Sequence, residues 1–191
     1  MSKSKYTAAF TAGALLFNEY KAIEPLFNEE NLADALNKEA EQNALLAIKT
    51  QKARKTIIIE LKRRIAQVDT DFWEFYYTLP ENEQRLALFY LCLKAYYLVF
   101  DLHIEVTLPK WKVFSRTLNS NDIQMRLDEI ASFDETVNGW SRLTIEKING
   151  QYRKMLKEAG LMQNNTLSKP FNISSRFWQY FIGKNEAWFI E

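Results

Sequence analysis

The sequence predicts an all-α protein, a compact multi-helix bundle around one central buried helix, and three observations carry that reading. Glycine and proline together number nine in 191 residues, where average usage of about 12% gives roughly 23. Sandwiches, barrels and doubly wound sheets need a tight turn about every ten residues, and so few turn formers cannot supply them. Apolar residues recur at the 3.6-residue period in segment after segment, and from Leu86 to Phe100 they cover every side, the pattern of a helix enclosed by others.

Taken in order, the periodicity and the end signals place a first helix over Ala8 to Glu24, stopped or kinked by Pro25. Asn28 is read as the cap of a second helix, with Glu29 and Glu30 complementing its positive end and Leu32, Ala35, Leu36 and Ala40 facing inward. Residues 43–48 form a turn or continue that helix. Thr50 caps a basic helix reaching Val68, which turns Ile57, Ile58, Leu61, Ile65 and Val68 inward. Arg54 falls near the apolar arc, so either the first turn frays or Arg54 reaches round to its edge.

Asp69 or Thr70 caps a short aromatic helix over Asp71 to Tyr77, and Pro80 opens the central helix, which runs to about Ile104. Pro109 opens another through Leu118, and Ser120 or Asn121 caps one from Asp122 to Ala131 with Ile123, Leu127 and Ile130 inward. Ser141 caps a long helix whose buried stripe is Ile145, Ile148, Tyr152, Met155, Leu156 and Ala159. Gly160-Leu161 ends it in the Schellman pattern, a left-handed residue followed by an apolar one that folds back. After Pro170 the aromatic-rich end, Phe177, Trp178, Tyr180, Phe181, Trp188 and Phe189, reads as a lid on the core.

The length fits one domain over 1–191, with an N-terminal lobe to about 79 and a C-terminal lobe from about 80. Hydrophobic residues at 47% and aromatics at 14% exclude disorder. Cys92 alone cannot form an internal disulfide, and His103 alone cannot build a Cys/His zinc site, so a reduced, cytoplasmic, metal-free and cofactor-free protein is expected. Lys3 and Lys5 before an apolar run imitate a secretory signal, but Asn18-Glu19-Tyr20-Lys21 stands where the cleavage site should be. The run from Leu86 to Phe100 contains Lys94 and is shorter than the roughly 20 residues that cross a bilayer. No membrane contact is expected.

No catalytic chemistry emerges. The five glycines are scattered, with neither a phosphate loop nor a dinucleotide fingerprint. Asp101, His103 and Glu105 could be drawn as an acid/base set, but on a helix residues two apart point about 200° from each other and do not converge. Asp69 and Asp71 read as helix-start residues and Cys92, between two leucines, as a small core residue. The expectation is a protein that is not an enzyme and has no small-molecule substrate.

Charge is where the chain departs from an ordinary globule. The formal net charge is +1, yet Lys49, Lys52, Arg54, Lys55, Lys62, Arg63 and Arg64 stand against one acid, Glu60, a local balance of +6. Arg142, Lys147, Arg153, Lys154 and Lys157 stand against Glu146, a balance of +4, which leaves −9 for everything else. Each basic segment belongs to a helix with an apolar flank, and each follows a shorter helix and a turn. That is the plan of a helix-turn-helix unit, whose second helix can enter a major groove about 12 Å wide. The turns exceed the usual three or four residues, and few Asn, Gln or Ser interleave the cations, so phosphate contacts should outnumber base reading. All twelve of these residues are therefore candidates for contact with double-stranded DNA. A different class of function is a helical adaptor docking on partner proteins through Trp178, Trp188 and Phe189, since aromatics anchor interfaces.

The opening Tyr6-Thr-Ala-Ala-Phe-Thr-Ala-Gly13-Ala-Leu-Leu-Phe-Asn-Glu19, the basic segment about Arg54, Arg63 and Arg64, and Trp140-Ser-Arg-Leu-Thr-Ile-Glu-Lys147 with Leu156-Lys-Glu-Ala-Gly-Leu161 resemble the BrxA family, the small component of BREX bacteriophage-exclusion systems. The resemblance spans nearly the whole chain and includes no catalytic signature. It implies an all-α monomer similar to the NusB-type helical fold, two helix-turn-helix elements beside positive patches, and double-stranded DNA binding without enzymatic activity, together with contact to other BREX components. It would map those features onto Lys49 to Arg64 and Arg142 to Lys157. RNA binding is a third reading, resting on the NusB-type likeness alone. Families of this kind have also been called inner-membrane proteins, a label this hydropathy does not fit.

Overall fold

The computed structural model describes residues 4–113 and 116–189. It is all-α apart from one two-stranded hairpin. The expected first helix is divided. A 3-10 turn over Ala9–Ala12 is followed by an extended Gly13 and by Leu16 at φ +59°, and only then does helix α1 run, Phe17–Ile23. Pro25 opens a further 3-10 turn, Glu24–Asn28. Asn31, not Asn28, then caps α2, Leu32–Gln42, its side-chain oxygen accepting from the Asp34 amide at 3.1 Å. The sequence offers two asparagines three residues apart at the same kind of boundary, and the proline-driven turn consumes the first.

Thr50 caps α3, Gln51–Ile65, by accepting from the Ala53 amide at 3.3 Å. Helix α4, Thr70–Tyr77, supplies a block of packed rings before the central helix α5, Glu81–Ala95. Every residue of α5 from Leu86 to Leu93 is buried, so this is the spine that its all-round apolar pattern predicts. It does not continue to Ile104. Tyr96 leaves helical geometry (φ −133°, ψ 107°), and the chain turns by 112° into α6, Tyr97–Leu102, a π-helical turn, His103–Thr107, and α7, Leu108–Lys112. Periodicity sees two apolar segments in phase; it does not see that the Tyr96 phenol is held between Arg64 and Glu60. Among the described residues no single helix is long and apolar enough to cross a membrane.

Helix α7 stops at Lys112, short of the expected Leu118. Phe114 and Ser115 lie outside the described residues. Thr117 and Leu118 instead join the hairpin: Thr117 bridges Thr166, and the Leu118 amide donates to the Asn165 carbonyl at 2.8 Å. Asn119 and Asp122 cap each other reciprocally at the start of α8, Ser120–Ala131, in place of Ser120 or Asn121. A one-turn helix α9, Glu135–Asn138, leads to α10, Arg142–Glu158, whose N-cap Ser141 accepts from the Thr144 amide at 3.2 Å.

The end of α10 is the expected Schellman stop. Gly160 sits at φ +74°, its amide reaches the Lys157 carbonyl at 3.1 Å, and the Leu161 amide reaches the Leu156 carbonyl at 2.8 Å. Strands β1, Met162–Gln163, and β2, Thr166–Leu167, follow at once as an antiparallel pair, turned at Asn164 in the left-handed region. Helix α11, Ser175–Gly183, and a 3-10 turn, Ala187–Phe189, close the chain. Phe177 and Phe181 are fully buried in one apolar cluster that runs from Tyr6 to Phe181, as the lid reading requires.

Candidate nucleic-acid interface

Both basic helices bury the flank that the sequence assigns to the core. In α3, Ile58 and Leu61 are buried; in α10, Ile148, Tyr152, Met155 and Leu156 are fully so. At about 25 cal/mol per Å2 of apolar surface, burial of this kind fixes each helix firmly enough to hold a defined outer face. The outer faces are not uniform, and the twelve cations fall into three groups.

Arg54 and Arg64 are buried and belong to the interior, which corrects their assignment to DNA contact. Arg54 clamps the turn before its own helix: Nε donates to the Ala40 carbonyl at 3.1 Å and Nη1 to the Ile48 carbonyl at 2.9 Å. The same turn is held by Glu39, whose carboxylate accepts the amides of Ala44, Leu45 and Leu46 at 3.1, 2.9 and 2.8 Å. The linker of α2 and α3 is long but built. Arg64 donates Nε to the Tyr96 hydroxyl at 2.9 Å, Nη1 to the Ala14 carbonyl at 2.7 Å and Nη2 to the Gly13 carbonyl at 2.8 Å, while Tyr96 donates onward to buried Glu60. A guanidinium with no exposed surface can persist only with such a set of acceptors.

A second group is partnered: Lys55, Arg142 and Lys154 are exposed, and Lys62, Arg63 and Arg153 are half-buried. Lys55 meets Glu41 at 2.8 Å, Lys62 meets the Asn37 side chain at 2.6 Å, and Arg63 lies 3.7 Å from Glu60. Arg142 meets Glu146 at 2.9 Å, Lys154 lies 3.6 Å from Glu158, and Arg153 bonds the Asn165 side chain beside the hairpin turn. Surface pairs of this kind are worth roughly 0–1 kcal/mol, so a phosphate can compete for the cation.

Lys49, Lys52, Lys147 and Lys157 form the third group. All four are exposed, and none makes an ion pair or a side-chain hydrogen bond among the described residues. They are the cations most available to an external anion. Helix α10 adds a second feature that sequence reading overlooked. The hairpin that follows it directly presents Gln163, Asn164, Asn165 and Thr166 at the surface, tied to α10 through Arg153. The adjacent asparagines between Met162 and Leu167 are the turn signal that could have revealed it.

The acid/base set drawn from the sequence does not assemble. Asp101 is buried and takes Arg126 bidentately at 2.7 and 2.9 Å, with the Tyr6 hydroxyl donating at 3.2 Å. Burial, reinforced by that carboxylate, pushes the Tyr6 phenol up to about 12. His103 packs edge-on against Phe89, and burial lowers its pKa to about 4. Glu105 is exposed. Cys92 is fully buried and its thiol pKa is raised by that burial, the reverse of a reactive cysteine. Asp71 pairs with Lys184. Among the described residues no group of three or more His, Cys, Asp or Glu is placed to hold a metal ion.

The architecture is that of a single-core all-α protein in which two basic helices pack into one apolar cluster and each keeps a cationic outer face. The chain belongs to the BrxA family, whose model matches residues 4–181, and is thus a BREX-associated protein. Its fold is similar to that of a solved structure from Magnetospirillum magneticum described as an uncharacterized protein, with TM-score 0.81 and 20% sequence identity over 98% of this chain and 97% of that one. No curated protein matches it.

Proposed function

We propose that this protein is a non-enzymatic, cytoplasmic accessory component of a BREX phage-defence system that binds double-stranded DNA through phosphate contacts from α3 and α10. The observation that carries the reading is the set of four exposed, unpartnered lysines, Lys49, Lys52, Lys147 and Lys157, on or beside helices whose opposite flanks are buried. A fixed cationic face exchanges bound counterions for phosphates, and that exchange supplies most of non-specific affinity.

The helices fit a helix-turn-helix plan. Helix α8, the single turn α9 and α10 follow one another, and Asn149 of α10 donates to the Ser120 carbonyl of α8 at 2.7 Å. The hairpin after α10 then offers four exposed polar side chains as a second contact to the duplex. In the other unit, Arg54 and Glu39 stiffen the long linker, so that α3 is held against α2 despite the unusual length. Arg54 and Arg64 drop out of the contact set, which becomes Lys49, Lys52, Lys55, Lys62, Arg63, Arg142, Lys147, Arg153, Lys154 and Lys157.

The adaptor reading has less support from its nominated anchors. Trp178, Trp188 and Phe189 are only partly exposed, and their rings pack on Phe177, Tyr90 and Phe181. A salt titration of binding to a labelled 20–30 base-pair duplex tests the DNA reading. Some four to six phosphate contacts give a log–log slope of roughly −4 to −5. A flat salt response, or preference for single-stranded or duplex RNA in competition, would overturn it.

A further inference from the structure

A cavity of about 530 Å3 opens between α5, the π-helical turn, α7 and the C-terminal segment, and none of the basic residues of α3 or α10 lines it. Its volume lies within the roughly 300–1,000 Å3 of small-molecule sites. The walls are apolar: five rings, Phe89 from α5, Trp111 from α7, Trp178 from α11, and Trp188 and Phe189 from the closing turn, alternate with leucines, Pro170 and Ile173.

The polar side chains are few: Thr107, His103, Lys169 and Asn172. Thr107 is committed to the Tyr152 hydroxyl at 2.6 Å. The Nδ1 atom of His103 is buried without a hydrogen-bond partner. With a pKa of about 4 the ring is neutral at pH 7, so one nitrogen donates and the other accepts. Lys169 is exposed and makes no ion pair or hydrogen bond among the described residues. Among the described residues no carboxylate lines the cavity, and the one charged side chain among those lining residues is Lys169.

We propose that this cavity binds a planar aromatic anion, an aryl carboxylate or sulfonate, whose rings lie among Trp111, Trp178 and Trp188 while its acid group meets Lys169 and one further hydrogen bond forms with His103. Aromatic walls favour a flat ring system over a flexible chain, because stacked rings gain contact at little cost in conformational freedom. A cation lining an apolar cavity favours an acid over its neutral or cationic analogue, and the acid beside the closing turn, Glu186, is already paired with Lys94 and the Trp188 indole. This inference is independent of nucleic-acid binding.

The test is a fluorescence titration of the full chain with 1-anilinonaphthalene-8-sulfonate, paired with the uncharged N-phenyl-1-naphthylamine. The wild-type protein binds a single sulfonate dye per chain, saturably, and with quenching of tryptophan emission. Lys169→Met weakens the sulfonate roughly tenfold and leaves the neutral dye within about twofold. Ile173→Trp fills the cavity and loses both dyes. Circular dichroism and the melting temperature establish that each variant is folded. Should Ile173→Trp fail to fold, the contrast between the two dyes in Lys169→Met still decides. Unsaturable binding, an unchanged sulfonate affinity in folded Ile173→Trp, or equal losses of both dyes in Lys169→Met would overturn the proposal.

Discussion

Arg64 and Glu158, from the two basic helices, grip consecutive residues of the same short segment. Arg64 donates to the carbonyls of Gly13 and Ala14 at 2.8 and 2.7 Å, and Glu158 accepts from the amide of Leu15 at 3.0 Å. The 3-10 turn just before this segment packs against both helices. The break in the expected N-terminal helix is therefore what joins α3 to α10, and it fixes where the two cationic faces lie. A continuous helix over these residues would have tied up the same backbone groups internally and left Arg64 without acceptors.

Removing the clasp is expected to cost stability before it costs binding. Arg64→Met strands two carbonyls and the Tyr96–Glu60 pair in the interior, and should lower the unfolding free energy by about 3–5 kcal/mol. Glu158→Gln should cost about 1 kcal/mol or less. Because both act on one segment, the double variant should depart from additivity by at least about 0.5 kcal/mol. Urea denaturation of the four proteins in the cycle measures this, and strict additivity would show that the segment does not couple the helices.

The stop after α10 depends on the left-handed Gly160. A β-carbon there meets no heavy atom within 4 Å, so Gly160→Ala introduces no clash and tests backbone strain alone. The expected loss is about 1–2 kcal/mol. An unchanged melting temperature would show that the Schellman turn is dispensable for positioning the hairpin.

Acid stability should report on His103. Its folded pKa of about 4 lies below the usual value of about 6.5, so the unfolded chain takes up a proton that the native state refuses. Stability present above pH 6.5 is lost as the pH falls toward 4, by an amount of order 2–3 kcal/mol at the lower end. His103→Leu should flatten the urea midpoint between pH 6.5 and 5, above the range in which most carboxylates titrate. The same slope in wild type and variant would contradict a buried neutral imidazole.

Local chemistry with a one-dimensional signature was legible: the caps at Thr50 and Ser141, the Gly160 stop, the all-apolar α5, and the apolar flanks of α3 and α10. What escaped required a partner remote in sequence. Arg54 and Arg64 look like their neighbours in a basic run, and only the carbonyls of Ala40 and Ile48, or of Gly13 and Ala14, make them interior residues. Arg54 at least lay near the apolar arc of the helical wheel, which was the available warning. Tyr96 breaks the central helix for the same non-local reason. The pairing of Lys55 with Glu41 and of Lys62 with Asn37 follows from α2 packing on α3, a tertiary fact that no charge count contains.

The most direct measurement is fluorescence anisotropy of a labelled duplex with the fourfold variant Lys49→Glu, Lys52→Glu, Lys147→Glu, Lys157→Glu. These side chains make no ion pair or side-chain hydrogen bond among the described residues, so helical content should match the wild type and the melting temperature should fall by no more than a few degrees, the share of Lys157 at the C-terminal end of α10. Affinity at about 0.1 M salt should fall at least roughly a hundredfold, with a shallower salt slope in whatever binding remains. A correctly folded variant that binds duplex DNA as tightly as the wild type would contradict the account.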